Sequence, residues 1–136
     1  MWTCPKCKRI FKRKDQQHSC KLISKESFFE KRPIRLKILF DKIVKEVKKS
    51  GNYREETVMQ NVIFFKTKST FLGIKVMKDY LIVEFFLEKL ENVSPVSKYL
   101  QTSKHRVAHV VPVDQLEDIN SQLINWMKRS YDLVSK

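Results

Sequence analysis

All three cysteines of the chain lie within its first twenty residues, in Cys4-Pro5-Lys6-Cys7 and His18-Ser19-Cys20. No other feature restricts the fold as strongly. Two residues separate the first pair of sulfurs, and ten separate Cys7 from His18. Three thiols and an imidazole at these spacings match the tetrahedral donor set of zinc, with Zn–S near ~2.3 Å and Zn–N near ~2.0–2.1 Å. Four protein ligands leave no open coordination position, so the expected role of the metal is structural. Pro5 stiffens the turn between the first two sulfurs, and Trp2 and Phe11 are expected to cover the cluster. A segment this small cannot fold on apolar burial alone. Zinc supplies about 10–16 kcal/mol in finger peptides near neutral pH, which is enough. The common finger has roughly three to five residues between its last two ligands, whereas here Ser19 stands alone between His18 and Cys20. That puts these two ligands on a tight turn or a strand and argues against base reading by a recognition helix.

The charge is concentrated in the same region. The 136 residues carry 28 Lys/Arg against 15 Asp/Glu, a net charge of +13. The first 50 hold 16 cations against 5 anions, and the remaining 86 hold 12 against 10. Between the zinc ligands run Lys6, Lys8, Arg9, Lys12, Arg13 and Lys14, opposed only by Asp15. Three thiolates on a divalent ion leave the centre at about −1, so the stretch stays positive. Such asymmetry fits an anionic partner, DNA or RNA first. Arg9, Lys12 and Arg13 suit phosphates, which would give binding independent of base sequence. The competing reading is a solvated lysine-rich surface. Two glycines in the whole chain argue against a phosphate-cradling glycine loop. The sequence has no apolar run of about 18 residues, and its start lacks the apolar core of a signal peptide. An odd number of cysteines at metal-like spacing fits reduced thiols in the cytoplasm. We therefore expect a cytoplasmic protein with no membrane partner and no small-molecule cofactor.

Beyond a polar stretch over residues 21–27, the pattern turns helical. Leu36, Leu39, Phe40, Ile43, Val44 and Val47 share one face, and Lys37, Lys42, Lys45, Lys48 and Lys49 fill the other. Pro33 suits the start of this helix and Gly51 the residue past its end. Four strands follow: Val62 to Phe65, Thr70 to Met77, Tyr80 to Glu88, and Arg106 to Val111, which Pro112 is expected to end. Residues 89–104 read as irregular. Asp114 and Glu117 suggest a capping box, and Leu116, Ile119, Leu123, Trp126, Met127, Tyr131 and Val134 mark a final helix. The expected fold is α+β: a zinc knuckle over residues 1–24, then a domain over residues 25–136 built from a helix, a four-stranded antiparallel sheet and a helix.

Trp2, the Cys4–Cys7 knuckle, Phe11, His18-Ser19-Cys20, and the pattern from Arg106 and His109 through Trp126 to Tyr131 together resemble an uncharacterised prokaryotic family. That family joins a zinc knuckle to an α+β domain of unknown function. The resemblance implies the same fold and brings no established activity. The helix–sheet–helix order is also similar to the frataxin type of sandwich. Iron handling in that type relies on an acidic surface, which this chain lacks.

A candidate polar site remains in Glu84, His105 and His109. His105 and His109 fall on one face of a strand, and Glu84 would join them if its strand is adjacent. The alternative is a satisfied core histidine and a loop histidine. A nuclease would need clustered carboxylates. Asp79, Glu84 and Glu88 lie close in sequence without the usual acidic pair and Glu-x-Lys pattern. No nucleophile elbow or phosphate loop is present. The reading that emerges is a non-enzymatic nucleic-acid-binding protein using the knuckle and the basic face of the first helix. The alternative is a ligand- or protein-binding module, with the open sheet face or the 89–104 loop as its site; a deep apolar pocket lined by Phe86, Tyr80 and His109 would favour it.

Overall fold

The helical period read from Ile34 onward is realised as α1, Ile34–Lys48, in a computed structural model that describes residues 2–3, 10–11, 28–58 and 61–136. Leu36, Leu39, Phe40, Ile43 and Val47 are buried, a stripe at three- and four-residue spacing. Pro33 stands at the N-cap with extended backbone, φ −55° and ψ 138°, where its missing N–H removes no helical bond. Lys45 and Lys48 occupy the last turn, where the helix dipole favours cations. Gly51 follows with φ +143°, a value that side-chain-bearing residues rarely adopt. A Cβ there would lie 2.4 Å from Oη of Tyr131. That hydroxyl donates to the Asn52 carbonyl at 2.8 Å, so the end of α1 is tied to the C-terminal helix.

Two short strands precede α1. β1, Trp2–Thr3, pairs antiparallel with β2, Ile10–Phe11, in the register Trp2↔Phe11 and Thr3↔Ile10. After α1 come β3 (Arg54–Val58), β4 (Val62–Lys66), β5 (Thr70–Val76), β6 (Leu81–Leu87), β7 (Lys98–Ser103) and β8 (Arg106–Val113). They form one antiparallel sheet in the order β3-β4-β5-β6-β8-β7. The sheet thus has six strands and not the expected four. Both additional strands are edges. β3 is rich in charge (Arg54, Glu55, Glu56), and β7 is exposed along its whole length. β7 buries no apolar face and Arg54–Thr57 of β3 bury none, so neither shows the alternation by which a half-buried strand is read. β7 falls in the segment expected to be irregular.

β8 also runs past Pro112, the expected end of the strand. Ser97 N–H donates to Val110 O, so Val110 turns its backbone groups toward β7. Two residues on, Pro112 turns its nitrogen the same way, beyond the last β7 partner, since Lys98 pairs with Val110. No ladder bond is lost there, and the strand continues.

Both helices cover one face of the sheet. Ile63, Phe65, Leu72, Ile74, Val83, Phe85 and Val111 point to this side and are sealed by α1 and by α2, Ser121–Ser135. Phe85 lies between Trp126 (5.2 Å, 22°) and His109 (5.5 Å, 6°). α2 starts later than the expected Asp114–Glu117 box. Leu116–Asp118 forms a single 3-10 turn instead. The Asp118 carboxylate accepts from the N–H groups of Asp114 (2.8 Å) and Gln115 (3.1 Å). The helix itself is capped by Asn120, whose Oδ1 accepts from Leu123 N–H at 3.0 Å.

Ser130 of α2 is fully buried and works as a wedge. The β5–β6 register, Leu72↔Phe85, would next join Phe71 to Phe86. Instead the Ser130 hydroxyl donates to Phe71 O and accepts from Phe86 N–H at 2.9 Å. The helix thereby occupies the place of one ladder bond.

Candidate functional site

Cys4, Cys7, His18 and Cys20 lie outside the described residues, as do Lys6, Lys8, Arg9, Lys12, Arg13 and Lys14. The structure does describe the two strands that flank the first cysteine pair. Thr3 and Ile10, the described residues on either side of positions 4–9, pair with each other. Among the described residues no group of three or more His, Cys, Asp or Glu is arranged to hold a metal.

The candidate polar triad does not converge. β6 and β8 are adjacent, as that site requires, but the register sets Phe85 opposite His109 and Val110 opposite Glu84. A one-residue offset reverses the face, so His109 points into the helix-covered core and Glu84 to the other side. His105 sits in the β7–β8 turn and is exposed. The same offset separates Phe86 from His109, so the pocket of Phe86, Tyr80 and His109 that would favour the ligand-binding alternative does not form.

His109 is 0% exposed and fully bonded. Its Nε2 accepts from Glu91 N–H at 3.0 Å. A lone pair on Nε2 puts the proton on Nδ1, 2.9 Å from Val107 O. Glu91 extends the network. Trp126 Nε1–H donates to Oε1 at 3.3 Å, and Arg129 donates to both carboxylate oxygens, at 3.1 Å for Oε1. The bonds from Arg129 hold the Glu91 carboxyl below its ordinary range. Every polar atom here serves another, which makes the cluster a clamp between α2, the 88–97 loop and β8. Glu91 and Arg129 carried no signal in the sequence, because their partnership spans 38 positions.

The side of the sheet that neither helix covers is different in kind. Phe64, Ile82, Phe86 and Val110 are half-buried there and surround Glu84. Gly73 lies between Phe64 and Glu84 in the row Glu56–Phe64–Gly73–Glu84–Val110–Lys98. A Cβ at Gly73 would meet Cδ1 and Cε1 of Phe64 at 3.3 Å and Cβ of Glu84 at 3.9 Å. The Phe64 ring therefore lies over the glycine, where any side chain would have stood. Burial raises the Glu84 pKa, and the carboxylate has no hydrogen bond or ion pair to any described residue. Five cations rim this face: Arg54, Lys66, Lys75, Lys98 and Arg106. Lys66 pairs with Glu56 at 2.8 Å, and Arg106 donates to Ser69 Oγ at 3.2 Å.

The basic face of α1 is partly neutralised by its own acids. Lys37 pairs with Asp41 at 3.1 Å, and Glu46 takes Lys42 at 3.7 Å and Lys49 at 3.2 Å. Lys45 and Lys48 have no acidic partner among the described residues. No helix among those residues is long and apolar enough to cross a membrane.

No curated protein and no solved structure matches the chain. A model of the domain of unknown function DUF5655 matches residues 25–134, and the four candidate zinc ligands precede that match. The match spans α1, the whole six-stranded sheet and all but the last residue of α2, so the chain belongs to the DUF5655 family.

Proposed function

We propose that this protein is a non-enzymatic nucleic-acid-binding module whose N-terminal knuckle is held by one structural zinc ion. The observation that carries the binding reading is the placement of charge. Cations rim the sheet face that neither helix covers, and the first 50 residues add a balance of 16 cations to 5 anions. Clustered cations beside an accessible surface give a field that attracts polyanions. The zinc reading rests on the donor set of Cys4, Cys7, His18 and Cys20, and on the pairing of Thr3 with Ile10 at the neck of the first cysteine pair. A zinc ion there would fix the basic segment against its own thiolates and supply no reaction step. Glu84 and His109 face opposite sides of the sheet, so those two do not form an acid–base pair.

The test is fluorescence anisotropy of labelled mixed-sequence DNA and RNA with the zinc-loaded full chain, titrated with salt. Neutralising about four phosphates would give a log–log slope of about −3 to −4. Binding that ignores salt, or none at low salt, would overturn the reading. Elemental analysis should find one zinc per chain. A protein-binding module is the second reading, favoured by Tyr99 and Leu100 on the edge strand β7, 51% and 66% exposed. Strand addition at that edge would depend little on salt.

A further inference from the structure

Resting on the nucleic-acid reading, we propose that the open face of the sheet is a platform for single-stranded nucleic acid, with Phe64 and Phe86 stacking on bases, rim cations on phosphates and Glu84 on the edge of a base.

Four observations lead there. First, both helices lie on the opposite side, so Phe64 and Phe86 are half-buried and not sealed. Strand and residue spacings set them roughly 12 Å apart, far enough to take separate bases. Second, Arg54, Lys75 and Lys98 have no acidic partner among the described residues; Arg54 and Lys98 sit on the two edge strands, at the margins of the apolar patch, and Lys75 stands between Val62 and Ile82 near the end of β5. An apolar centre with a cationic rim matches a chain that presents flat rings and phosphates together. Third, the surface is a broad sheet. A duplex hides its base faces, and its major groove of about 12 Å admits a helix or a two-stranded ribbon. Unstacked bases of a single strand can lie on such a surface.

Fourth, Glu84 has no hydrogen-bond or ion-pair partner among the described residues. A carboxylate half-buried among Phe64, Ile82, Phe86 and Val110 keeps only part of its hydration, at a cost. A ligand that brings donors removes that cost. A guanine ring carries N1–H and N2–H side by side, matching the two oxygens of a carboxylate. Uracil offers one N–H flanked by two carbonyl oxygens that repel it. The face should therefore prefer strands containing guanine to strands of uracil alone.

The experiment compares a 20-nucleotide RNA, the DNA of the same sequence and its duplex, using the zinc-loaded full chain. A strand of twelve uracils, with and without two central guanines, then tests the base edge. The single strands should bind more tightly than the duplex. Phe64→Ala and Phe86→Ala should each weaken single-strand binding by about 5- to 150-fold. Phe86→Leu, which keeps apolar bulk and guards against misfolding, should also weaken it. The exposed changes Lys75→Glu and Lys98→Glu should each flatten the salt slope by about 0.7. Glu84→Gln should erase the preference for guanine. If wild type binds no nucleic acid at low salt, both the reading and the platform fall. If wild type binds with normal salt dependence and these variants bind equally well, or the duplex is preferred, the reading survives and the platform alone is overturned.

Discussion

Ser130→Ala tests how far one hydroxyl holds α2 to the sheet. The serine is 0% exposed, and its Oγ serves two backbone groups, Phe71 O and Phe86 N–H. Removing it orphans both, because the strands are held apart at that row and cannot form the direct bond without moving the helix. Each unsatisfied buried group costs about 1–3 kcal/mol. Alanine is the better helix former and returns up to about 0.5 kcal/mol. The expected net loss is about 2–5 kcal/mol. Urea denaturation followed by far-UV circular dichroism should show it. With a slope of about 2 kcal/mol per molar, the midpoint should fall by about 1–2.5 M with the slope unchanged. A shift below about 0.3 M would refute the account, since it would mean that the strands close the gap or that water takes the place of the hydroxyl at little cost.

Other expectations follow from features already described. Gly51→Ala must hold an alanine at φ +143° with its Cβ against the Tyr131 hydroxyl; it should cost about 1–3 kcal/mol, read as a lower melting temperature, and Tyr131→Phe should recover none of the backbone strain. Arg129→Ala removes the cation that holds the Glu91 carboxyl below its ordinary range. Because that pKa is lowered by folding, its stabilisation is present above the unfolded value and is lost as pH falls through the folded one. The pair is largely exposed, so the loss at pH 7 should be about 1 kcal/mol or less, and the variant should approach wild type on acidification. Glu84 has the opposite sign. Burial raises its folded pKa, so its favourable share is fullest at low pH and is lost as pH rises through that value. Glu84→Gln should therefore melt higher than wild type at pH 7, with the gap closing toward pH 4. Removal of metal by a strong chelator should release one zinc per chain and expose three reactive thiols to a colorimetric reagent, while the two-layer unit of residues 28–136 keeps its cooperative melt.

The elements that could be read from the sequence are those with one buried side. The stripe Leu36–Leu39–Phe40–Ile43–Val47 announced α1, and Leu81, Val83, Phe85 and Leu87 announced β6, because burial imposes the period of the backbone on residue choice. Arg54–Val58 and Lys98–Ser103 escaped because edge strands are held by ladder bonds, which leave no trace in side-chain type. Register was equally hidden. Nothing local says whether Glu84 or Phe85 faces His109, yet that single offset dissolves the polar triad and sends its members to opposite sides. The open face was legible only in part: the half-polar alternation of Tyr80, Ile82, Glu84 and Phe86 was visible, but the cations around it come from five separate segments that only the fold assembles.

Pro112 has a consequence for how copies of this chain treat one another. Past Val110 the outer flank of β8 has no neighbour among the described residues, and an incoming strand could extend the sheet there by offering carbonyls to waiting amides. The imide nitrogen has no hydrogen to give, so that stretch cannot template growth. Edge-to-edge stacking is thereby left to the two outer strands, Arg54–Val58 and Lys98–Ser103, margins of five and six residues that carry charge and are too short to seed a fibre with ease.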